Sequence, residues 1–208
     1  RGTLGGATSS KLRDLSYFVC LGVGFILVEI ALLQRFTLLL GHPITSLRVV
    51  FFGMLFFSGL GSLLSGRVQA PEKLPKLLAL AAGGTVIITG VYGWVLGDIT
   101  HAAIGWSINA RVALSLALVA APALFMGMLL PTGLRLVSKR HAEIVPWAWG
   151  LNGAASVLGS VGAMFLAIFF GFSKVLIIGG ALYLVALVLG LRRSPSSEEK
   201  KPEGSGQS

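Results

Sequence analysis

Glu29, Gln34 and Arg35 sit inside one long apolar run, and Arg48 sits early in the next. Charged side chains within hydrocarbon-length segments are costly, so they face a protein interior and mark the polar part of a membrane protein. Glu29 lies roughly 18 Å of helix before Gly41, near the middle of a bilayer. Glu29 and Arg35 do not share a helix face, because facing neighbours are three or four residues apart. Glu29 therefore needs a partner on another helix, or a proton. Arg111 and Asn152 are available partners, and Gln34 can join the same network. Two readings fit this set: a proton or cation site, or a polar clamp that holds the register of a helix bundle.

A second group comprises His42, Asp98, His101, Trp106 and Asn109. It suits a small binding mouth, or anchoring at the headgroup level, where Trp and Arg are common. A third group is made of small residues. Gly59, Gly61 and Ser62 fall late in the second apolar run, and Gly153, Ser156, Gly159 and Ser160 run along the fifth. Small residues about four apart let helix backbones approach closely, so helices two and five are expected to form the packed centre.

Other chemistries find no support. His42, His101 and His141 all fall in connections, whereas a bundle haem needs an axial ligand projecting inward from a helix. No phosphate-binding Gly-rich loop precedes a Lys, and no dinucleotide-type turn joins a strand to a helix. Metal-ligand spacing is absent, and the single Cys20 excludes an internal disulfide. No cofactor is expected.

The elements that position these residues are six apolar segments, at about 15–40, 44–64, 77–96, 110–130, 147–170 and 175–191. Each is near the ~20 residues that cross a bilayer, and none alternates like a barrel strand. The expected fold is an all-α, polytopic bundle of six transmembrane helices. Gly41 and Pro43 turn the chain after the first helix, Pro131 is expected to stop the fourth, and Pro146 to open the fifth. Pro122 falls inside the fourth, where a neighbouring helix must satisfy the freed carbonyl. Residues 1–14 read as a flexible lead-in, and 192–208 as a disordered polar tail.

Charge supports an even number of crossings. Only Arg35, Arg48, Arg111 and Lys174 of the 17 basic residues fall outside the two tails and the second and fourth connections. Positive residues stay cytoplasmic, which places both termini there. Charged residues make up 12% of the 208, about half the level of a soluble domain. The net charge of +9 does not indicate nucleic acid, because the cations lie in short clusters between apolar runs.

Phe25, Glu29-Ile30, Leu32 and Gln34-Arg35-Phe36, with Leu40-Gly41-His42-Pro43 and Gly59-Leu60-Gly61-Ser62, resemble the membrane half of bacterial polytopic spermidine-synthase-like proteins. So do Pro131-Thr132-Gly133-Leu134-Arg135 and the block from Pro146-Trp147-Ala148-Trp149-Gly150 through Asn152-Gly153 to Gly159-Ser160. The resemblance runs from about Leu15 to Leu191. It implies a bundle in the bacterial inner membrane, joined in that family to a soluble Rossmann-like domain. That domain's nucleotide-binding glycines have no counterpart in these 208 residues, so no catalytic residue is carried over. The expected function is a non-catalytic membrane module: an anchor, a scaffold or an accessory subunit with the bilayer and other protein subunits as partners. The alternatives are a carrier-like module for a polyamine or other small cation, and the membrane part of a transferase.

Overall fold

The computed structural model describes residues 2–191, with side chains from residue 9 onward. The chain forms six long helices: α1 (Gly2–Leu40), α2 (Pro43–Gly66), α3 (Leu74–Ala102), α4 (Ile108–Ser138), α5 (Val145–Phe170) and α6 (Phe172–Leu191). Two short 3-10 turns, Pro71–Lys73 and Ala142–Ile144, lead into α3 and α5. No strand occurs among the described residues. All six helices are long and apolar enough to cross a membrane. Their outer faces carry large apolar side chains, among them Phe52 and Leu63 on α2 and Leu158 and Phe169 on α5. Apolar surface this extensive is unfavourable against water and favourable against acyl chains.

The turns follow from local chemistry. Gly41 takes φ 72°, a left-handed conformation that glycine adopts without strain, and Pro43 then opens α2. Gly171 takes φ 78° between α5 and α6. The Ser107 side chain accepts from the Ala110 amide at the start of α4.

Three expectations are corrected. First, α1 reaches back to Gly2, through the stretch read as a lead-in. Residues 10–14 of this helix are docked: Lys11 Nζ lies 2.9 Å from Glu143 Oε1, Ser10 Oγ lies 3.4 Å from His141 Nε2, and Asp14 is buried. Second, Pro131 does not stop α4, which continues to Ser138 with both Pro122 and Pro131 inside it. Hydroxyls supply donors beside the gap: Thr132 donates to Met128 O (2.6 Å) and Tyr17 to Leu129 O (2.9 Å). At Pro122 the missing amide frees Leu118 O, and Tyr92 of α3 donates to it at 3.0 Å. That is the cross-helix rescue expected from the sequence. The polar tail, 192–208, lies outside the described residues.

Third, α2 and α5 are not the centre. The hub is α1, the most buried of the six, whose Tyr17, Phe18, Leu27, Leu32 and Phe36 are fully enclosed. α5 and α6 pack on α1, α2 packs chiefly on α4, and α3 bridges α4 and α6. α2 and α5 flank the bundle and do not pack on one another. Their small residues serve different neighbours. Gly61 of α2 abuts the Leu124 carbonyl of α4, and Gly159 of α5 abuts Val23 and Ile26 of α1.

Side-chain contacts sort the helix ends into two sets. The start of α1 meets the α4–α5 connection, Arg135 of α4 meets the α2–α3 connection, and Gly190 of α6 lies beside Tyr17 and Leu78. This end carries Lys11, Arg13, Arg67, Lys73, Lys76, Arg135, Lys139 and Arg140, and is called the basic end below. The opposite end carries Arg35, Arg48, Arg111 and Lys174.

Candidate functional site

The polar side chains inside the bundle attach to helix backbones. Near the opposite end, Arg111 Nη1 donates to Leu39 O at 2.9 Å, where the last turn of α1 has carbonyls without helical partners. Arg35 of α1 donates to the Ser173 hydroxyl at the start of α6, and its guanidinium lies against Gly97 of α3. One arginine thus ties three helices. The Nε of each of these arginines is buried without a hydrogen-bond partner among the described residues.

At the basic end Arg135 performs the same task for α2. Nη2 donates to Ser65 O at 2.7 Å and Nη1 to Val68 O at 2.9 Å. A cation at a helix C-terminus is favoured by the helix dipole and by the orphan carbonyls. Closer to the middle, Asn152 Nδ2 donates to Phe18 O at 3.0 Å, and Ser156 Oγ lies 3.1 Å from Gly22 O. These two bonds fasten α5 to α1 over Gly22, where a side chain would collide with the Asn152 carbonyl.

The structure does not join the six residues expected to form one network. Arg35, Arg111 and Asn152 each bond elsewhere, as described, and none reaches Glu29. Glu29 is 7% exposed and forms no hydrogen bond or ion pair among the described residues. Gln34 lines a shallow recess with Pro43 and Leu47, and Arg48 is exposed. The second group is likewise dispersed. His42, Asp98, His101, Trp106 and Asn109 are all exposed, with no hydrogen bond between them. That placement suits a headgroup-level rim better than a mouth.

Of the small residues expected at helix contacts, Gly61, Ser156 and Gly159 are in contacts, while Gly59 and Gly153 face open space. Ser62 lines a cavity, and Ser160 donates only to Val157 of its own helix. Sequence reasoning missed Arg135, Tyr17, Tyr92 and Ser173 as cross-helix donors. The signal for Arg135 was present: it lies four residues after Pro131, on the same face of any helix that continues.

One cavity, of about 580 Å³, lies between α2, α4 and α5, with Leu21 and Phe25 of α1 at its floor. It is mainly apolar, with Ser58, Ser62, Asn152, Ser156 and Tyr183 of α6 among its polar members. No group of three or more His, Cys, Asp or Glu side chains with metal-site geometry occurs among the described residues. No protein-family model, no curated protein and no solved structure matches the chain.

Proposed function

We propose that this chain is an integral membrane module that anchors or scaffolds a partner, rather than one that carries out chemistry. The observation that carries this reading is the use of the inward arginines: Arg35, Arg111 and Arg135 all bond to neighbouring helices. A transport path needs polar groups arranged in succession, whereas these stand apart, each closing a helix contact. On this reading the basic end faces the cytoplasm, because Lys and Arg are retained on that side. The resemblance to the membrane half of spermidine-synthase-like proteins supports a bacterial inner-membrane location. It also supports a partner that carries the soluble domain.

One observation favours a second reading. Glu29 is buried near the middle of α1 without a partner, as a cation or proton site requires. Reconstitution into liposomes separates the two. The scaffold reading expects no spermidine or proton flux above empty vesicles, and no change in fold or assembly for Glu29→Gln. Flux through the wild type that Glu29→Gln abolishes would establish the carrier instead.

A further inference from the structure

The cavity between α2 and α5 has the shape of a lipid seat. On three walls it begins at the same depth from the basic end. Ser62 lies four residues before the end of α2, Leu134 four before the end of α4, and Trp149 four after the start of α5. Four residues are about 6 Å of helix. From Leu134 the lining continues to Met126, about 12 Å further along α4. The cavity therefore ends about 18 Å from the basic end, and its span is close to one leaflet of a ~30 Å hydrocarbon core.

It lies between two helices, α2 and α5, that make no extensive contact with one another and whose outer faces are apolar. No charged residue lines it, so the part of a ligand lying within it is uncharged. Asn152 uses only its Nδ2 on Phe18, which leaves Oδ1 to accept from a ligand. Arg67 and Lys139, the residues that end α2 and α4, lie about 7 Å further toward the basic end than Ser62 and Leu134. Both are exposed, and neither forms an ion pair among the described residues. Of the acidic residues at this end, Asp14 is buried, Glu143 is already paired with Lys11, and Glu72 is outnumbered by Lys73 and Lys76.

We infer that this groove holds one acyl chain of an anionic phospholipid, with the headgroup phosphate held at the basic end by Arg67 and Lys139. A chain one leaflet long fits the span, and the cations at this depth favour an anionic headgroup. The inference rests on the bilayer placement proposed above. It can fail separately, because a membrane protein need not bind any lipid at this groove.

The test uses the whole chain in nanodiscs of phosphatidylglycerol mixed with phosphatidylcholine, released into mild detergent for native mass spectrometry. The wild type is expected to retain one phosphatidylglycerol. Gly59 lines the groove, and a Cβ there meets nothing within 4 Å, so the ring of Gly59→Phe is directed into the groove and away from Gly61, where α2 touches α4. It is expected to lower retention about tenfold with unchanged helicity. R67Q with K139Q should keep a bound lipid but lose the preference for phosphatidylglycerol. A diazirine-tailed phosphatidylglycerol gives a readout that needs no variant: its adducts should fall on Leu134, Trp149 and their neighbours. Equal retention by Gly59→Phe, or adducts spread evenly over the outward phenylalanines, would overturn the proposal. So would a wild-type dimer that Gly59→Phe dissociates without loss of lipid, since the occupant would then be a second copy.

Discussion

Arg135 ends on the Ser65 carbonyl in the last turn of α2 and on the Val68 carbonyl just beyond it. Removing it takes a charge-assisted hydrogen bond from each; Ser65 O keeps its bond from the Val68 amide, whereas Val68 O loses its side-chain donor. Arg135→Gln should therefore lower stability by about 1.5–3 kcal/mol, read as an earlier midpoint in SDS titration of the micelle-bound chain. Arg135→Lys should fall between, because an ammonium cannot span both carbonyls as the guanidinium fork does. Tyr92 and Pro122 offer a sharper case. The tyrosine donates to the carbonyl that the proline leaves open. Tyr92→Phe should cost about 0.5–1.5 kcal/mol, in the range for hydrogen bonds between membrane helices. In a Pro122→Ala background the alanine amide can serve Leu118 O, and the same substitution should then cost close to nothing. Additive losses in that double-mutant cycle would show that the two residues are not coupled.

At the scale of helices, glycine content alone does not identify contacts. Gly59 and Gly61 are two residues apart on α2, yet one faces open space and the other touches the backbone of α4. Gly153 and Gly159 of α5 divide the same way. Gly61→Ala, and Gly127→Ala opposite Ser58, should each destabilise by about 1–3 kcal/mol through overpacking. Gly59→Ala and Gly153→Ala should match or exceed the wild type, since alanine is the better helix former. Thermal unfolding in detergent orders the four. The number of helices, the Gly41–Pro43 turn and the need for a neighbouring helix to satisfy the carbonyl freed by Pro122 were readable in the sequence, because length, φ and a missing amide are local properties; that Tyr92 is the donor was not. The choice of partners was not. Between membrane helices no hydrophobic force distinguishes one apolar face from another, so pairing depends on fit between surfaces that the linear pattern does not encode. Pro131 misled for a related reason: a helix can continue through a proline where neighbours pack around it, and one such neighbour, Tyr17, which donates to Leu129 O beside the break, lies more than a hundred residues earlier.

For the molecule as a whole, the basic end carries more cationic side chains than the opposite end. With the basic end cytoplasmic, cysteines placed at Lys73 and Lys139 in a Cys20→Ser chain should resist a membrane-impermeant maleimide applied to intact cells. Cysteines at Arg48 and Gly105, both exposed at the other end, should react. The reverse pattern would invert the topology, and reaction at all four would end the membrane reading.

The central position of α1 also bears on how the protein is made. The helix that holds the others is synthesised before them, and its Gly22 face must wait for Asn152 and Ser156. At ordinary elongation rates that interval is on the order of ten seconds. During it, the groove that α5 will close is bare to lipid and to any helix that drifts past. A ribosome stalled between α4 and α5 would leave a half-built bundle with its most adhesive surface uncovered. Quality control in the membrane has an obvious feature to recognise there.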